Sequence, residues 1–259
     1  YTEGLFRRTI MTSFHGMWSL AGFTGALVGL GMLALNITTY MHFVIVVLVV
    51  LALVAFNYKY LIKAKEKVHT EKKKTFRKPD KSLVLLGVIG FCSMASEGIM
   101  FDWSGIYFKD VVKAPGPLIV IGYTSFMIMM ASGRFFGDRL INKFGRKKVM
   151  QISGIMISFG LYSAVLFPYI IPATIAFMIV GLGVSSIIPT LYSIAGKHQT
   201  IPTGEALTAV SSVSFLGFLI GPPLIGHISE LFGLQFSFAF IGMFGILIAL
   251  MVKKVKAIE

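Results

Sequence analysis

The chain has 259 residues, 56% of them hydrophobic and only 14% charged, with a formal net charge of +13. Soluble domains carry about 25% charged residues, so this composition excludes a water-soluble catalytic domain and predicts an all-α, multi-pass membrane protein. The basic residues lie between apolar runs, where they set membrane orientation, and this argues against a nucleic-acid partner. A single cysteine, Cys92, sits inside an apolar run, so neither an intrachain disulfide nor a cysteine metal cluster is expected. No cleavable signal peptide is visible, and the chain opens at Tyr1 in a polar stub, as expected of a fragment or a processed chain.

Eight apolar segments follow in order, at Thr12–Leu35, Met41–Ile62, Leu83–Tyr107, Leu118–Ile141, Val149–Tyr169, Pro172–Ala195, Leu207–Phe232 and Phe236–Val252. Each approaches the roughly 20 residues needed to cross a bilayer as a helix. If each crosses once, all of the 24 Lys and Arg residues except Lys109 and Lys113 fall on one side. The positive-inside rule makes that side cytoplasmic and places both ends of the chain there. Arg134, Asp138 and Arg139, at the end of the fourth segment, are read as belonging to the membrane surface. The one long polar link, Lys63–Ser82, divides the chain into residues 1–62 with two helices and 83–259 with six.

Polar residues are distributed unevenly among these helices. The second has no polar side chain between His42 and Asn57, as suits a helix facing lipid, whereas the third carries Ser93, Ser96, Glu97, Ser104 and Tyr107. At 100° per residue these five fall within an arc of roughly 100°, one polar stripe. Glu97 lies about 21 Å along the helix from Leu83, deep in a hydrocarbon layer of about 30 Å. An ionisable residue at that depth needs a partner, an aqueous cavity or a proton. Glu97 is therefore the candidate proton-coupling or solute-binding carboxylate, against the alternative of a structural carboxyl bonded to a neighbouring helix.

Asp102 reads as a cap or anchor and Trp103 as an interfacial residue, with solute contact as the alternative. In the sixth segment, Pro189 predicts a bend near Ser185, Ser186 and Tyr192. His227 is a weaker candidate for a proton path, and His15 and His42 read as interfacial. Neither HExxH, GxSxG nor a Walker loop is present, so no enzymatic activity, cofactor or metal is expected.

The stretch Gly133–Val149, GRFFGDRLINKFGRKKV, resembles the signature loop of the major facilitator superfamily, matching it at Gly133, Gly137, Asp138, Arg139, Gly145, Arg146 and Lys147. Its glycines let two helices close tightly, Asp138 can dock on the positive N-terminal end of another helix, and the basic cluster holds the loop at the surface. In the family this loop meets the start of the fifth helix, which corresponds here to the Arg8–Ser13 region. The stretches FRRTIMTSFHGMWSLAGFTGA and SEGIMFDWSGIYF resemble a fucose-permease-like branch of sugar and bacterial transporters, aligning the eight segments with helices five to twelve of twelve. The first four helices of the family fold are then absent, so their solute and proton residues cannot be assigned. Drug/proton antiporters carry a glycine ladder followed by proline; Gly16, Gly25 and Gly29 fit the ladder, but Leu30 stands at the proline position.

The resemblance implies a secondary transporter of the bacterial inner membrane, embedded in lipid. It would move a small, sugar-like polar solute together with protons by alternating access between two helical bundles. Trp103, Tyr107, Tyr123 and Tyr192 would be possible solute contacts beside Glu97, and the signature loop would stabilise the outward-open state by latching the cytoplasmic side. The rivals are efflux of a hydrophobic compound in exchange for protons, and a non-transporting membrane sensor or assembly subunit.

Overall fold

The computed structural model describes residues 11–60, 80–198 and 200–255; the opening stub with Arg8, and most of the basic link, lie outside them. Nine α-helices and no strand occur among the described residues: α1 (Met11–Ala34), α2 (Thr39–Asn57), α3 (Lys81–Asp110), α4 (Ile119–Phe144), α5 (Arg146–Leu166), α6 (Ile170–Ser185), α7 (Ile187–Ala195), α8 (Thr203–Phe232) and α9 (Leu234–Lys254). Seven stretches are long and apolar enough to cross a membrane, with α6 and α7 counted as one and α2 extended by a 3-10 turn at Tyr58–Tyr60. The first predicted span corresponds to α1, 24 residues long, which is not among those seven.

The described residues of Tyr1–Ser19 and Pro79–Glu259 form one compact unit, and those of Leu20–Lys78 a second. In the second, α1 ends in a left-handed Asn36 (φ 54°), a conformation that asparagine tolerates better than most residues. The Ile37 amide there closes back on the Met32 carbonyl at 2.9 Å. The hydroxyl of Thr38 then caps α2, accepting from the Met41 amide at 3.4 Å. No residue of α2 is buried, as a uniformly apolar helix against lipid requires.

The larger unit is built on close helix pairs. α3 runs beside α8, and Gly217 is required there because a Cβ would collide with the Phe91 carbonyl. α4 meets α6 where a Cβ on Gly181 would strike the Phe126 carbonyl. Lipid tails are as apolar as leucine, so helices in a membrane associate by close packing, and small residues permit the approach. The centre is aromatic: Tyr107, Phe108, Phe177 and Phe238 are fully buried, with the Tyr107 and Phe238 rings 4.4 Å apart.

Two boundaries differ from expectation. α3 continues past Tyr107 to Asp110, and Asp80 caps its start by accepting from the Ser82 amide (2.7 Å) and hydroxyl (2.6 Å). These bonds hold the Asp80 carboxyl below its usual range. The sixth segment, expected to bend near Ser185, Ser186 and Tyr192, is interrupted outright at Ser186 (φ −103°, ψ −12°), which divides it into α6 and α7. A proline ring clashes with the carbonyl four residues earlier and offers that carbonyl no N–H, so the disturbance falls in the preceding turn. The hydroxyl and amide of Thr190 both turn to the Ser186 carbonyl, at 2.6 and 3.3 Å.

Candidate functional site

Helix α3 delivers Glu97 to the interior of the larger unit, where it is only 6% exposed. α4 delivers Arg134 beside it, 4% exposed, and the guanidinium Nη2 donates to Glu97 Oε1 at 2.9 Å. This corrects the reading of Arg134 as a surface residue. α4 runs on to Phe144, about 15 Å beyond Arg134 along the axis, and Asp138, read with Arg134 as superficial, is buried as well, whereas Arg139 is exposed. The signal that could have found the pair is Glu97 itself, since a carboxylate at membrane depth calls for a cation on a neighbouring helix.

The pair opens on a cavity of about 370 Å³. His15 and Trp18 of α1 contribute to its wall, as do Tyr192 of α7 and Phe215 and Phe218 of α8. Met94 and Phe101 of α3, with Ile188 of α7, complete an apolar lining around the ion pair. The Tyr192 hydroxyl is buried and has no hydrogen-bond partner among the described residues. His15 is half-buried in the cavity wall. Its ring lies 6.0 Å from that of Tyr192, and its Nδ1 is 3.2 Å from the Met11 carbonyl oxygen. α1 is already helical at Met11, so His15 and Trp18, one turn apart, share the face turned to the cavity.

Of the five residues read from sequence as solute or proton contacts, Glu97 and Tyr192 line the cavity and three do not. Tyr107 is fully buried in the aromatic centre and donates its hydroxyl to the Ala164 carbonyl at 2.9 Å. It lies ten residues from Glu97, about 15 Å away along α3 and at the edge of the shared stripe, which moves it from the cavity into the core. The indole N–H of Trp103 donates to the Pro222 carbonyl at 3.1 Å, tying α3 to the proline-containing part of α8. Tyr123 is half-buried behind the cavity wall, its ring 5.9 Å from that of Phe101. His227 is exposed and does not line the cavity. Tyr107→Phe is accordingly expected to cost about 1 kcal/mol of stability, as thermal unfolding in detergent would show.

One turn beyond Arg134 on α4, the buried Asp138 carboxylate meets the start of α1. It accepts from the Thr12 amide (3.3 Å), the Ser13 amide (2.9 Å) and the Ser13 hydroxyl (2.5 Å). The first amides of a helix have no partners within it and carry the positive end of its dipole, so an anion is stabilised there. Gly137 makes the approach possible, because a Cβ would lie 2.6 Å from both the Thr12 methyl and the Ser186 hydroxyl. A Cβ on Gly133 would collide with the Ser185 hydroxyl. The interruption between α6 and α7 thus packs onto the glycine face of α4. Arg139 points outward, 5.8 Å from the Phe136 ring, and Arg146 reaches the Ser193 hydroxyl at 3.4 Å. Gly145, at φ 81°, turns the chain from α4 into α5, and Lys147 is half-buried beside it. Among the described residues no group of His, Cys, Asp and Glu could hold a metal ion.

Comparison with known proteins gives this geometry a family. The chain is 30% identical over 238 residues to an uncharacterized MFS-type transporter of Yersinia pestis, covering 91% of this chain and 61% of that protein. It is 27% identical over 249 residues to an uncharacterized transporter of Sinorhizobium fredii, covering 96% of this chain and 66% of that one. Membrane protein MosC of Rhizobium meliloti is 32% identical over 167 residues, 64% of this chain and 41% of its own length. The chain therefore spans less than two thirds of each of these relatives. A crystal structure of a peptide transporter, POT, carrying an E310Q substitution and in complex with sulfate, superposes with a TM-score of 0.63. It does so at 15% identity over 71% of this chain and 39% of that one, a likeness of fold. Two overlapping matches to the Major Facilitator Superfamily run over residues 5–203 and 123–257. Together with the buried pair and the docked signature loop, they lead to one assignment: the chain is a multi-pass membrane protein that belongs to the Major Facilitator Superfamily.

Proposed function

We propose that this chain is the larger part of a proton-coupled secondary transporter that moves a small solute by alternating access, with Glu97 and Arg134 as its coupling pair. The observation that carries this reading is the 2.9 Å ion pair buried in the wall of a 370 Å³ cavity. A proton arriving on Glu97 would cancel its charge and loosen its hold on Arg134, whose planar guanidinium could then bind solute oxygens. Trp18 offers an aromatic face to a sugar-like ring and Tyr192 a free hydroxyl to its edge. Arg134 and Asp138 are one turn apart on α4, so a movement of the coupling residue would reach the Asp138 contact through a rigid helix. In this scheme the signature loop latches one side of the transporter, on the face that the distribution of lysine and arginine marks as cytoplasmic. Residues 1–62 would supply the last two helices of one bundle and 83–259 the other bundle, joined by the 63–82 link. The SEGIMFDWSGIYF helix supports the fucose-permease-like kinship and hence a polar solute taken up with protons.

The test is solute accumulation against a gradient by Glu97→Gln in the complete transporter. Uphill uptake should be lost, while exchange of solute at equal concentrations on both sides persists and membrane insertion is normal. Undiminished uphill uptake would remove Glu97 from this role.

A second reading, proton-driven efflux of a hydrophobic compound, is favoured by the apolar lining of Met94, Phe101, Ile188, Phe215 and Phe218. Counterflow of labelled sugars set against a resistance profile separates the two.

A further inference from the structure

A second concavity, of about 660 Å³, lies on the exposed faces of α5 and α9 and shares no residue with the solute cavity. Its floor is closed where the two helices come closest. A Cβ on Gly154 would sit 2.6 Å from the Gly245 carbonyl oxygen, and the Ser158 hydroxyl donates to the Gly242 carbonyl at 2.6 Å. From that seam the side chains diverge, Ile155 and Phe159 on α5 and Ile246 and Leu250 on α9, all four exposed. Both helices are long and apolar enough to span the bilayer, so these walls face hydrocarbon.

The groove has a chemically distinct end. Lys148, in the first turn of α5, and Lys253, in the last turn of α9, are both exposed and stand at the same end of it, with Gln151 next to them. The residues lining it include no carboxylate to neutralise the two ammonium groups. From Lys148 to Phe159 the helix rises about 16 Å, close to the roughly 15 Å of hydrocarbon that one leaflet provides. A cationic end joined to an apolar trough one leaflet long is complementary to an anionic lipid, with phosphate at one end and acyl chain along the rest.

We propose that this groove binds an anionic phospholipid, its phosphate between Lys148 and Lys253 and an acyl chain along Ile155, Phe159 and Leu250. The lipid would bridge the first turn of α5, which directly follows the signature loop, to the last turn of α9. The site is separate from the solute cavity, and its lipid need not be transported.

Native mass spectrometry on the delipidated full chain, titrated with phosphatidylglycerol or phosphatidylethanolamine, tests this. Phosphatidylglycerol should be retained preferentially. Lys148→Gln or Lys253→Gln should each weaken it about fivefold, and the double variant more than about tenfold. Lys109→Gln, a basic residue outside the groove, should change nothing. Leu250→Trp fills the trough without altering charge and should also lower retention, with an unchanged gel-filtration profile showing that the fold is intact. Equal retention of both lipids, or parental retention by the double lysine variant, overturns the proposal. Displacement of the lipid by equimolar inorganic phosphate would make the groove a small-anion site instead. A Leu250→Trp variant that loses dimers and keeps its lipid would assign the groove to a second copy of the chain.

Discussion

Arg134→Met is expected to destabilise the protein by about 3–5 kcal/mol, the range measured when one member of a buried ion pair is removed, and to abolish transport. The reason is the carboxylate left behind. Glu97 is buried beneath α4 with its Oε1 held 2.9 Å from the guanidinium, and an uncompensated charge at that depth loses its hydration without replacement. The double variant Glu97→Gln/Arg134→Met should recover most of the lost stability, because it leaves no charge unpaired, yet remain unable to accumulate solute. Thermal unfolding in detergent, with uptake measured in parallel, separates these two effects. A double variant no more stable than Arg134→Met would mean that the cost arises from lost packing of the arginine and not from the stranded carboxylate.

Asp138→Asn should slow transport by more than about tenfold while changing equilibrium solute affinity less than about threefold. Asp138 receives three hydrogen bonds from Thr12 and Ser13, two of them from amides in the first turn of a helix. Bonds to an ionised acceptor are roughly twice as strong as neutral ones, so the amide replacement forfeits about 2 kcal/mol of a contact that, in the proposed latch, would belong to one conformation. That energy corresponds to a shift of about 30-fold between the states in which the contact is made and broken. Under the proposed scheme turnover would depend on both states, whereas affinity at the cavity, one helical turn away, would depend on Glu97, Arg134 and Tyr192, which line it. A variant in which affinity collapses and turnover is spared would place Asp138 in the solute site and remove it from the latch.

The membrane class and the positions of seven of the eight expected spans were legible in the amino-acid sequence because hydropathy is local. A run of about 20 apolar residues between basic clusters can be satisfied in lipid only as a helix, whatever its neighbours do. The burial of Glu97 was legible for the same reason, since depth along one helix follows from counting residues. The signature loop was legible too, because Gly133, Gly137 and Asp138 are spaced one turn apart or adjacent on a single helix face.

What remained hidden depends on how helices face one another. Arg134 looked superficial until α4 was seen to continue well beyond it and to pack against α3, bringing the guanidinium to Glu97. His15 and Trp18 gained their places in the cavity wall from the packing of the first turns of α1 against the rest of the unit. Tyr107 and Trp103 lost theirs to specific acceptors, the carbonyls of Ala164 and Pro222, which are 57 and 119 residues distant in the chain. The sequence by itself determined that the chain crosses a membrane and which carboxylate is costly to bury there, since both follow from one helix and its solvent. Only the tertiary structure decided that carboxylate's partner and the company it keeps in the cavity, because the rotation of a helix about its axis is set by close packing between helices and not by its own residues alone.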